Sequence, residues 1–139
     1  MQSEQFIIQN INDLNKLAKL LMPYLKPNIF LLLSGELGVG KTTLIKYIAK
    51  ELKIKELVDS PTFNILQSYR VKDNYCLNHF DFFRLSNRDN LDVFEELTSF
   101  NLNFIEWPEN NRKFWQNKEC IQLNFEFSNK EIRIVNILI

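Results

Sequence analysis

Glycine is scarce in this chain, with three residues in 139, and there are only one histidine and two cysteines. Charge of one sign is not in excess: 17 Lys and Arg face 17 Asp and Glu. Each scarcity excludes something. One histidine and two distant cysteines, Cys76 and Cys120, rule against a structural zinc site. Both cysteines sit in apolar, strand-like stretches and are expected as buried reduced thiols. A balanced charge argues against strong autonomous binding to nucleic acid, which uses a basic surface. No apolar run approaches the roughly 18 residues of a membrane-spanning helix. The first five residues, 1–5, carry no basic segment leading into an apolar one, so no signal peptide is read. The expectation is a cytoplasmic protein without membrane contact. Hydrophobic residues at 45% and charged residues at 24% are ordinary for a globular chain and exclude a disordered, coiled-coil or collagen-like one. The length predicts one domain over residues 1–139.

What glycine there is lies together: Gly35, Gly38 and Gly40 fall in one short stretch. Around it the hydrophobic pattern predicts alternating strands and helices. Phe6 to Ile8 reads as a strand. A helix from about Asn12 to Leu25 places Leu14, Leu17, Ala18, Leu21 and Leu25 on one face, with Pro27 as its stop. Ile29 to Leu33 is a continuous apolar run, as in a buried parallel strand. A helix is expected over Lys41 to Leu52, and a hairpin over Asn64–Arg70 and Tyr75–Phe80, turning at Lys72-Asp73-Asn74. A short helix follows over Asn90 to Leu97, then an apolar strand from Leu102 to Ile105. A last hairpin pairs Cys120–Phe127 with Glu131–Ile139. The order is α/β at first and β-rich at the end, which predicts a three-layer α/β domain with a mixed parallel and antiparallel sheet; the glycine stretch makes it P-loop NTPase-like.

The glycine stretch reads Gly35-Glu36-Leu37-Gly38-Val39-Gly40-Lys41-Thr42 and fits G-x-x-x-x-G-K-S/T at every fixed position. Glycines allow backbone N–H groups to converge on an anion, and the helix that follows adds its positive end. Residues 35–43, including Val39 and Thr43, are the candidate nucleotide cradle. Lys41 would reach the outer phosphates and Thr42 would place its hydroxyl on Mg²⁺. A strand before the loop and a helix after it give the motif its required setting. Among P-loop classes, the chain lacks the Asn-Lys-x-Asp guanine reader of GTPases and the Leu-Ser-Gly-Gly signature of transporter ATPases. It has no arginine-rich lid of a nucleotide kinase and no basic tract of a helicase.

A P-loop enzyme needs an acid near the metal, at the end of a neighbouring strand. Asp81, in His79-Phe80-Asp81-Phe82-Phe83-Arg84, and Glu106, ending the strand before Trp107, are the two candidates, for metal binding and for orienting water. Each is equally readable as a surface ion-pair partner. His79 is either a proton relay or a core residue orienting Asp81, and the second is the expectation. Thr62, after Ser60-Pro61, is a switch-like contact to the outer phosphate or a simple turn residue. Trp107 is core or a partner anchor, and Trp115 is core. Arg84 is a candidate arginine finger or the partner of an acid. The base pocket is not legible; Gln9 to Ile11 is a guess from position alone.

Taken in order, the glycine loop with Thr42-Thr43, Ser60-Pro61-Thr62-Phe63, His79-x-Asp81-x-x-Arg84-Leu85 and Glu106-Trp107 resemble the TsaE family, also called YjeE, over roughly residues 5–127. The resemblance implies an ATPase of tRNA threonylcarbamoyladenosine synthesis that uses ATP and Mg²⁺. It implies weak activity alone and action with TsaD and TsaB, with tRNA reached only through that complex. It places Lys41 on phosphate, Thr42 on Mg²⁺, Glu106 and Asp81 at the metal and hydrolysis site, and Thr62 in a switch-like loop. Two departures are visible: Phe83 stands where the family usually has Tyr, and residues 90–97 lack the family's glycine. Two other functions stay open on the residues alone. One is a module whose docking face is ordered by nucleotide, with incidental hydrolysis; the other is a small P-loop kinase.

Overall fold

The computed structural model describes residues 3–59, 61, 64–72, 74–129 and 131–139. Seven strands form one sheet: β1 (Ser3–Ile8), β2 (Phe30–Ser34), β3 (Leu66–Lys72), β4 (Tyr75–Asp81), β5 (Leu102–Glu106), β6 (Cys120–Phe127) and β7 (Arg133–Leu138). Their order across the sheet is β1-β7-β6-β2-β5-β4-β3. β4, β5, β2 and β6 run parallel to one another, while β3, β7 and β1 are added by antiparallel pairing. The mixed sheet expected from the sequence is present.

β2 explains its own position. Phe30, Leu31, Leu32 and Leu33 are all buried, because successive side chains point to opposite faces and both faces are covered. Leu31 and Leu33 join the core under the helices α1 (Ile11–Leu21) and α2 (Lys41–Glu51). Phe30 and Leu32 join a second core with Phe80, Phe82, Ile105, Leu91 and Phe114. That face is covered by 3-10 turns at Asp92–Phe94, Pro108–Asn110 and Arg112–Phe114 and the single helical turn α3 (Glu95–Thr98), rather than by long helices.

Three expectations need correction. α1 stops at Leu21 instead of Leu25, and Met22–Tyr24 is a 3-10 turn. Pro23 has no N–H for the next helical bond, so the α-helix ends ahead of it, well before Pro27. The expected helix Asn90–Leu97 breaks into the turn Asp92–Phe94 and α3. The Asn90 side chain accepts the Asp92 N–H at 2.8 Å, an Asx turn that leaves Asn90 ahead of the first helical turn rather than in it. The cysteines are free as expected, but half-buried rather than buried. Burial pushes the Cys120 thiol up to about 11, with Glu119 adding to the shift. No helix among the described residues is long and apolar enough to cross a membrane.

Candidate functional site

The parallel strands β2, β5 and β4 end at one edge of the sheet, and their last residues hold the site. Register pairs Asp81 with Glu106 and Leu33 with Glu106. Gly35 to Gly40 then carry the chain from β2 to α2. Gly35 has φ +143°, and a Cβ there would lie 2.7 Å from the Phe125 carbonyl oxygen, so no side chain fits. Gly40 caps α2 at φ 117°, again a conformation that favours glycine.

A cavity of about 480 Å³ opens over this edge. Its walls include Leu37, Gly38, Gly40, Lys41, Thr42, Thr43, Asp81 and Glu106. Gly35 packs against Phe125, Val39 is buried in the helix-side core and Glu36 is exposed. Those three shape the loop rather than line the cavity. Thr62 lies outside the described residues.

The chemistry concentrates on three side chains. The Thr42 hydroxyl lies 2.9 Å from both oxygens of Glu106 and donates to the carboxylate. His79 Nε2 lies 2.7 Å from Glu106 Oε2, with the imidazole wholly buried. Against an ionised carboxylate that nitrogen is the donor. His79 therefore orients Glu106, not Asp81 as the sequence reading expected. Asp81 instead accepts the Phe83 N–H at 2.9 Å, at the exit of β4. Glu106 is thus buried and held from two sides.

Lys41 is 4% exposed. Its ammonium donates to the Gly35 carbonyl and stands 3.8 Å from the centroid of the Trp107 ring, a cation–π contact. Burial pulls its pKa below the ordinary lysine value, while Glu106, Glu109 and Asp81 oppose the shift. Trp107 is neither plain core nor an exposed anchor. It sits at φ 59°, in the left-handed region where a large residue is strained. Its N–H donates to the Leu33 carbonyl at 3.2 Å, and its ring packs on Phe83 at 5.1 Å. Trp115 packs in the second core as expected, donating to the Pro108 carbonyl at 2.8 Å. Arg84 is exposed and does not line the cavity.

Five wall residues escaped the sequence reading as site residues or were only guessed: Leu14, Phe83, Trp107 and Arg133, and Ile11 from the Gln9–Ile11 guess. Arg133 carries no motif; only the antiparallel return of β7 brings it here.

A family model described as "Threonylcarbamoyl adenosine biosynthesis protein TsaE" matches residues 8–135. The chain belongs to the TsaE family. It is thereby one of a family of threonylcarbamoyl adenosine biosynthesis proteins. The TsaE of Rickettsia felis is 37% identical over 95% of this chain and 78% of its own length. That of Aquifex aeolicus is 33% identical over 96% and 95%. A crystal structure of Bacillus subtilis YdiB superposes with a TM-score of 0.79 at 24% identity, covering 98% of this chain and 84% of that one. At that identity it shows the shared fold alone.

Proposed function

We propose that this chain binds and hydrolyses ATP with Mg²⁺ in the machinery that makes tRNA threonylcarbamoyladenosine. In this reading it works in the cytoplasm with TsaD and TsaB and meets tRNA only through them. One observation carries the chemistry: Thr42, Glu106 and Lys41 converge on one cavity at the start of α2. The names of its relatives carry the pathway.

The residues fit a magnesium ion. Thr42 and the carboxylates of Asp81 and Glu106 are hard oxygen donors on the same wall. Among the described residues no group of three or more His, Cys, Asp or Glu forms a metal cage. Mg²⁺ suits such a site, since it keeps waters and leans on one or two carboxylates plus phosphate oxygens. When bound, it would neutralise charge on the outer phosphates.

The chain's own groups do the rest. Loop amides and the start of α2 bind the phosphates. Lys41 turns from the Gly35 carbonyl to phosphate oxygens and meets the charge that grows on the outer phosphate. Glu106, fixed by His79, orients the attacking water. Asp81 supports the cation. Without an arginine from a partner such a site is slow, and a finger in trans can add roughly 10³–10⁵-fold.

The test is ATP hydrolysis by this chain, alone and with TsaD and TsaB, for wild type and Glu106→Gln. A low rate that rises in the complex is expected. Glu106→Gln should bind ATP and partners but lose about 10²–10⁴-fold in hydrolysis and stop repeated tRNA modification. Undiminished modification by that variant would instead favour a nucleotide-gated docking module. Phosphate transfer to a nucleoside monophosphate would favour a kinase.

A further inference from the structure

The cavity holds one cation more than the motif supplies. Arg133 opens β7 and lines the same cavity as Gly40 and Lys41. Sheet order places it across the glycine loop from the acids: β6 and β7 lie to one side of β2, and β5 and β4 to the other. Arg133 pairs with Phe127 at the end of β6, so it reaches the same sheet edge as Glu106. Its guanidinium carbon stands 5.5 Å from the centroid of the Phe127 ring. Its Nη1 lies 3.9 Å from the point a Cβ on Gly40 would occupy. Its Nε is buried and has no hydrogen-bond partner among the described residues. No ion pair engages it among them.

A buried N–H without an acceptor is costly and asks for one. Nη1 lies beside Gly40, at the positive end of α2, where an anion is already favoured. A guanidinium turned toward that anion can present two parallel N–H groups to two oxygens of a phosphate.

We propose that Arg133 grips the α-phosphate of the bound nucleotide, opposite Lys41. The inference rests on the nucleotide-binding reading above. Lys41, Asp81 and Glu106 mark the end where the outer phosphate is cleaved. The phosphate chain then runs along the loop toward β7, and the apolar Ile11 and Leu14 face the sugar and base. The phosphate that meets Arg133 is therefore the one next to the sugar. ATP and ADP present it alike, so Arg133 holds substrate and product equally. Uniform binding of this kind lowers KM without raising kcat. Arg133 is a binding residue, not a finger.

The test is calorimetric titration of the full chain with Mg·ATP and Mg·ADP, together with steady-state hydrolysis, for wild type, Arg133→Gln and Arg133→Lys. Arg133→Gln should weaken both nucleotides by about 10- to 100-fold, raise KM for ATP in step and leave kcat at saturation unchanged. Arg133→Lys should recover part of the loss, since it keeps the charge without the fork. Unchanged affinities, a loss confined to ATP, or a fall in kcat at constant KM would each overturn the clamp. Should Arg133→Gln fail to fold, Arg133→Lys decides: a smaller loss shared by both nucleotides supports the clamp, and unchanged affinities refute it. A wild type that binds neither nucleotide removes the nucleotide-binding reading itself, and the clamp with it.

Discussion

Lys41 is held in a state that the free protein gains little from. Its ammonium is buried, bonded to the Gly35 carbonyl and stacked on Trp107. Burial still outweighs the neighbouring carboxylates and pulls its pKa down from 10.5. The sign follows. As pH rises, the folded chain sheds this proton before the unfolded chain does, so between the lowered value and 10.5 the unfolded state holds more protons and Lys41 adds stability with rising pH. Lys41→Met keeps the stem and removes the charge. The free variant should melt no lower than wild type at neutral pH, should lack that alkaline rise, and should show no upward shift with Mg·ATP. Scanning fluorimetry with and without nucleotide checks all three; a nucleotide shift equal to that of wild type would refute Lys41 as the phosphate contact. At this scale the sequence was informative about Lys41, Thr42, Asp81 and Glu106, because spacing within a motif reports local geometry. It could not show that His79 would hold Glu106 or that Arg133 would enter the cavity. Those contacts depend on strand register and on a chain return almost a hundred residues after the glycine loop.

At the scale of elements, α1 depends on how its first turn is closed. Asp13 accepts the N–H groups of Gln9 at 2.8 Å and Asn10 at 3.3 Å, donors that the helix cannot satisfy internally. Mainly through the Gln9 contact, its pKa lies below the ordinary 3.8. The folded value is depressed, so the contribution is present above pH 3.8 and fades as pH falls through the folded value. Asp13→Asn should lower the melting temperature at neutral pH, and the gap to wild type should close in acid. Melts taken from pH 7 to pH 3 would show this, and a gap independent of pH would sink the argument. Local chemistry of this type also explains which boundaries were legible. The apolar run of β2 and the Gly40 start of α2 were readable because the deciding residues lie inside the element. Pro23 decided the C-terminal end of α1 and Asn90 the later start of the stretch leading to α3, through single side-chain and backbone effects that the broader apolar periodicity masked.

For the whole molecule, the sheet is sealed by different means on its two faces. Helices cover one; the other relies on aromatic rings set among short turns. Phe114 is central there, meeting Phe30, Phe80 and Phe82 edge-on at 6.1, 5.2 and 5.6 Å. The same stretch carries Trp107 to Lys41, braced by Trp115 on the Pro108 carbonyl and by Asn110 on the carbonyls of Phe82 and Phe83. Removing the ring therefore acts on stability and on the site at once. Phe114→Ala should cost about 3–5 kcal/mol, a large part of the roughly 5–15 kcal/mol that holds a domain together. Urea unfolding measures that term. In the fraction still folded, Mg·ATP should bind more weakly, because the turn that seats Trp107 over Lys41 has lost its anchor. Lost stability with full nucleotide affinity would mean that this layer only covers the sheet and that Trp107 is placed by its own backbone bond to Leu33.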